Sequence, residues 1–128
     1  MSAEQLLDEA RRDLTRVPPD RLAELSDVLV IDIRPHHDRA AEGEVPGSIP
    51  VERIVLEWRL DPSGTHRITG FTADTTVVVL CNEGYASSLA ARDLQRVGLP
   101  NATDLIGGFR AYAAAGLPVR PGATQAVT

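Results

Sequence analysis

The sequence predicts an α/β fold: a central parallel sheet of about five strands with helices on both faces. Three observations predict it. The apolar, β-branched run Val77-Val-Val-Leu80 is bounded by polar residues, the pattern of a strand buried on both faces. A second such run, Val28-Leu-Val-Ile-Asp32, precedes it. Helical spacing returns between and after these runs, and strands alternating with helices give a parallel sheet covered on both sides.

Taken in order, Leu6, Leu7, Ala10 and Leu14 recur at helical spacing, which predicts an N-terminal covering helix within residues 1–14, with Arg11, Arg12 and Asp13 facing water. Residues 15–17 suit a short edge strand. Pro18-Pro19 then opens a second short helix through Leu25, because proline suits the first turn of a helix. The strand of residues 28–32 ends in Asp32-Ile-Arg-Pro35, where the proline drives Arg34 out of helical conformation. Residues 36–41 predict a short helix closed by Gly43, and the turn-rich Val45-Pro-Gly-Ser-Ile-Pro50 leads into a short strand at 49–51. Periodicity does not separate strand from helix in residues 52–60, where helix or irregular structure is expected. Residues 61–70 make a polar surface loop. A helix over residues 87–97 buries Ala90, Leu94 and Val97 and is stopped by Gly98 and Pro100. Residues 102–106 predict a last short strand, Gly107-Gly108 a tight turn, and 109–115 a last helix. The main domain is thus residues 15–118, followed by a flexible C-terminal tail over 119–128.

A chain of 128 residues supports one core and not two. No run is long and apolar enough for a membrane helix, and the acidic start lacks the basic region of a signal peptide, so a cytoplasmic, membrane-free protein is expected. The net charge of −5 argues against nucleic acid as a partner. With a single cysteine there is no internal disulfide and no multi-cysteine zinc site, which leaves the thiol free.

That thiol, Cys81, falls at the C-terminal end of the most buried strand, where reacting groups in open α/β sheets gather. The loop Cys81-Asn82-Glu83-Gly84-Tyr85-Ala86 can wrap into a semicircle if Gly84 takes positive φ. Successive backbone N–H groups then converge on the sulfur, and such a nest, with the positive end of the following helix, stabilises an anion. Ser87 or Ser88 is expected to cap that helix, with a hydroxyl able to donate to the sulfur. The result is a nucleophile in a shallow cradle suited to a covalent sulfur or phosphoryl intermediate.

Four pieces in this order resemble a single-domain rhodanese: Asp32-Ile-Arg34 with an acid at Asp38, Gly43-Glu-Val-Pro-Gly-Ser-Ile-Pro50, the cysteine loop through Ser87, and Gly107-Gly-Phe-Arg-Ala-Tyr112. The resemblance covers roughly residues 15–118. It implies a rhodanese-like fold and a sulfurtransferase that carries sulfane sulfur as a persulfide on catalytic Cys81. Asn82, Glu83, Gly84, Tyr85, Ala86 and Ser87 would then be the substrate-binding loop. No metal or organic cofactor is implied; a small-molecule sulfur donor and an external thiol or partner protein as acceptor are.

The chain departs from the family's pattern in ways that bear on substrate. Ala86 stands where many rhodaneses have an arginine, and Glu83 adds a carboxylate beside the pocket. Like charge disfavours a small dianion, so thiosulfate is expected to be a poor donor and a persulfide a better one. Glu44 within Gly43-Glu-Val-Pro-Gly47, and Tyr112 where tryptophan is common, are expected to be structural changes. Asp32 and Arg34 are expected to pair structurally below the site. Arg53, Trp58 and Arg59 can reach the pocket mouth, although surface packing is the preferred reading. His36 and His37, being adjacent, point apart and do not suggest a metal site, and His66 sits in a polar loop. Two other functions compete: a cysteine phosphatase or arsenate reductase, which requires an arginine at the position of Ser87, and a binding or regulatory module with little turnover.

Overall fold

In the computed structural model, which describes residues 1–128, four parallel strands form one sheet in the order β2-β1-β3-β4. They are β1 (Val28–Asp32), β2 (Ile49–Pro50), β3 (Thr76–Leu80) and β4 (Thr103–Asp104). The helices are α1 (Ala3–Arg11), α2 (Pro19–Glu24), α3 (His36–Glu42), α4 (Leu56–Arg59, entered through a 3₁₀ turn at Arg53–Val55), α5 (Ala86–Val97) and α6 (Gly108–Ala114). No helix is long and apolar enough to cross a membrane.

The sheet has four strands rather than the expected five. Residues 15–17 contribute one parallel bridge, between Val17 and Leu105. The Val17 N–H donates to Asp104 O and its carbonyl accepts from the Ile106 N–H, but Pro18 and Pro19 follow and carry no N–H to continue a ladder.

The strand alternation sorts side chains into two cores. Val77, Val79 and Cys81 face one cluster with Ile31, Leu56, Leu60 and α5 residues Ala90, Ala91 and Leu94. Val78 and Leu80 face the other, with Leu22 of α2, Leu105, and Phe109 and Tyr112 of α6. All four residues of the Val77–Leu80 run are fully buried, and each such side chain contributes about 1.5–3 kcal/mol. Helix α1 packs on α5, capped by Ser2, whose side chain and backbone exchange hydrogen bonds with Gln5.

Both structural changes noted in the sequence have partners. Tyr112 donates its hydroxyl to Pro118 O at 2.6 Å, and burial pushes its phenol above the ordinary value. Glu44 is fully buried against residues 119–128, the expected flexible tail. It accepts from Arg39 (2.8 Å), Arg120 (3.0 and 3.1 Å) and both the N–H and hydroxyl of Thr124 (3.1 and 2.8 Å). Further along the same segment, Val127 bridges to Val51 beyond the end of β2.

Candidate active site

Cys81 directly follows β3, and its side chain packs into the core with only a small part of its surface exposed. The loop behind it curls as expected: Gly84 takes φ +88°, and its N–H points at Sγ from 3.2 Å. The Ser87 N–H, in the first turn of α5, points at the same sulfur from 3.4 Å. The backbone N–H groups of Tyr85 and Ala86, between them, donate to nothing within the chain. Cys81 thus lies in a ring of main-chain donors at a helix N-terminus, an arrangement that holds an anion.

The loop is fixed from several sides. The Cys81 and Asn82 carbonyls accept from the Phe109 and Arg110 N–H groups of α6 at 2.8 and 3.1 Å. This approach requires Gly108, where a Cβ would stand 2.6 Å from Cys81 O. Asn82 donates its side-chain amide to Asp38 of α3 at 3.2 Å. Below, Arg34 and Asp32 form a fully buried pair at 2.7 Å, as expected; Arg34 also donates to Gly43 O and stacks over the Phe109 ring at 3.9 Å.

Glu83, Tyr85 and Ala86 are exposed. The Glu83 carboxylate engages Arg110 at 3.3 Å, and Arg110 also holds Glu42 at 3.2 Å. The Arg110 guanidinium is raised above its ordinary value, first by the Glu42 hydrogen bond and charge and then by Glu83 and Asp38, so one cation serves three acids on this rim. Arg53 is held by Glu57 and Asp93, and Arg59 by the carbonyls of His66 and Thr128. Both arginines are therefore packed on the surface and do not supply the charge missing at Ala86.

Two expectations are corrected here. The hydroxyls of Ser87 and Ser88 neither cap α5 nor donate to the sulfur: both donate to Asp104, at 2.8 and 2.7 Å, and the N-cap position is Tyr85. Arg11 does not face water. It reaches from α1 to the underside of the loop, donating to Gly84 O at 2.8 Å and to Ser88 Oγ at 3.0 Å. Arg16 joins it on Gly84 O at 3.1 Å while pairing with Asp104 at 2.8 Å. Sequence reasoning missed Arg11, Arg16 and Asp104. The available signal was Asp104 itself, a carboxylate inside a run read as a strand, since such a group needs partners if the strand is buried.

Gly84 has no substitute in this loop. Alanine would hold a side chain at φ +88° and place its Cβ 2.9 Å from the Gly107 backbone nitrogen. Gly84→Ala is expected to cost about 1–3 kcal/mol in denaturant unfolding and to slow alkylation of Cys81, because the N–H on the sulfur must move. Wild-type values for both would contradict this account.

The comparisons with known proteins agree with the fold. A family model described as a rhodanese-like domain matches residues 19–115. A sulfurtransferase from Allochromatium vinosum is 33% identical over 99 residues, 77% of this chain and 84% of that protein. A protein of unknown function from Rhodopseudomonas palustris, described as a possible tyrosine phosphatase, superposes with a TM-score of 0.85 at 31% identity, covering 93% of this chain and 94% of that one. The polysulfide-sulfur transferase homodimer of Wolinella succinogenes shares the fold, with a TM-score of 0.70 at 24% identity over 91% of this chain and 85% of that one. On its matched span, its sulfurtransferase relative and its sheet, the chain belongs to the rhodanese-like domain family.

Proposed function

We propose that the protein is a sulfurtransferase that carries sulfane sulfur as a persulfide on Cys81. The observation that carries this reading is the pair of main-chain N–H groups, from Gly84 and Ser87, on the Cys81 sulfur. The unused N–H groups of Tyr85 and Ala86 beside them suit the outer sulfur of a persulfide.

The Cys81 thiolate attacks the outer sulfur of a donor persulfide, R–S–SH. A new S–S bond forms to that sulfur while the donor's own S–S bond breaks toward R, which leaves as a thiolate. Cys81 then holds the S–SH group. An acceptor thiolate attacks its outer sulfur, departs as a persulfide and returns Cys81 as thiolate, so no net electron transfer occurs. The chain has no second cysteine, so the acceptor comes from outside, as a thiol or a partner protein.

The donor we favour is an organic or protein persulfide. Ala86 offers no cation for thiosulfate, and with Tyr85, Leu7 and Leu89 it borders an apolar groove of about 480 Å³ that suits a carbon skeleton. Phosphoryl chemistry is disfavoured because Ser87 stands where a guanidinium clamp is needed and its hydroxyl is committed to Asp104. The single thiol fits a reducing, cytoplasmic setting.

Intact-mass measurement after incubation with a small-molecule persulfide tests the reading. The expected result is a gain of one sulfur atom, absent in Cys81→Ser and removed by an added thiol, with thiosulfate loading the protein at least about tenfold more slowly. No adduct with any donor would favour a binding module. Equal loading by the two donors would sink the donor assignment alone.

A further inference from the structure

We propose that Arg11 is the cation of the cradle: a positioning residue that fixes the Gly84–Tyr85 peptide and holds positive charge beneath Cys81, in place of an arginine at Ala86. The inference deepens the sulfur-transfer reading and rests on it for its biological meaning.

The Gly84 carbonyl accepts two hydrogen bonds, from Arg11 Nη2 at 2.8 Å and Arg16 Nη2 at 3.1 Å. A trans peptide sets its C=O and the next N–H in opposite directions. Drawing the Gly84 oxygen down to the arginines therefore turns the Tyr85 N–H away from them. That N–H has no acceptor within the chain. The hydrogen bonds to the Gly84 oxygen also fix the residue whose N–H meets the sulfur.

The two arginines differ in charge balance. Arg16 is neutralised by the fully buried Asp104 at 2.8 Å. Arg11 spends its fork on a carbonyl and a hydroxyl, and no carboxylate pairs with it. The net positive charge under the loop is therefore that of Arg11. A partly buried charge facing a loop of aligned dipoles is screened less than one in water. Arg11 lies on α1, before the start of the family match at residue 19, so a segment outside the matched span supplies the cation.

The test compares alkylation of Cys81 by neutral iodoacetamide and by anionic iodoacetate. Arg11→Gln is expected to slow both reactions, by roughly tenfold for iodoacetamide, and to lower the iodoacetate-to-iodoacetamide rate ratio about threefold. Arg11→Lys keeps the charge and loses the fork, so it should restore the ratio while leaving the rates below wild type. Arg12→Gln, at the exposed and unpartnered next position, should match wild type in both. An Arg11→Gln protein that stays folded by circular dichroism with unchanged rates and ratio overturns the proposal. If that variant unfolds, Arg11→Lys decides: a wild-type rate overturns the proposal, and a slower rate with an unchanged ratio supports it. Alkylation needs no sulfur donor, so this outcome is independent of whether the protein transfers sulfur.

Discussion

Glu44→Gln is expected to destabilise the fold by about 3–5 kcal/mol at neutral pH and to flatten its loss of stability in acid. Burial pushes the Glu44 carboxyl up, but the hydrogen bonds from Arg39, Thr124 and Arg120 outweigh it and hold it at about 2 rather than 4.5. A carboxyl lowered on folding stabilises the native state in full above its unfolded value. It loses that contribution as pH falls from about 4.5 to about 2. The part at stake is about 3 kcal/mol. Glutamine cannot ionise, so its pH profile should lack this share of the decline, and it leaves the Arg39 guanidinium, itself almost fully buried, without a carboxylate. Urea unfolding of both proteins at pH 7, 4 and 3 measures the difference. A variant within about 0.5 kcal/mol of wild type at pH 7, or one with the same acid slope, would show that Glu44 does not anchor the C-terminal segment.

Which of these contacts the sequence disclosed follows from how local they are. The strand, the thiol and the Gly84 turn are contiguous, so β-branched composition and one glycine were enough to place them. The Asp32–Arg34 pair spans two residues and was equally legible. Arg11 meets Gly84 across 73 positions, and Arg16 meets Asp104 across 88. Helical periodicity identified the polar face of α1 correctly, but it cannot distinguish a face that meets water from one that meets the polar underside of a loop. Ser87 and Ser88 misled for a related reason. Serine at a helix start usually caps it, yet a buried carboxylate on the neighbouring strand is a stronger acceptor for both hydroxyls. The missing fifth strand was decided by Pro18 and Pro19, read only as helix openers. The same two rings that start α2 leave Val17 with a single bridge.

Asp104→Ala is expected to be the most damaging single change outside the thiol itself. The Asp104 carboxylate is fully buried in β4 and accepts from Arg16 Nε and Nη2 and from the Ser87 and Ser88 hydroxyls, all between 2.7 and 3.2 Å. Removing it strands two buried hydroxyls and a mostly buried guanidinium, at a cost of about 3–5 kcal/mol, or a melting temperature lower by roughly 10–20 °C in a domain of this size. The chemistry should suffer as well. Arg16 also holds the Gly84 carbonyl, and Ser87 supplies an N–H to the sulfur, so the carboxylate that steadies β4 also steadies the cradle. Alkylation of Cys81, measured well below the melting transition, should slow along with the loss of stability. Asp104→Asn keeps one acceptor oxygen and loses the charge, and should fall between alanine and wild type in both measurements. A folded Asp104→Ala protein with wild-type alkylation would separate the two roles and leave Arg11, with the α6 backbone donors, to hold the loop. A loss of less than about 1 kcal/mol would mean that water reaches Arg16 and the serines once the carboxylate is gone.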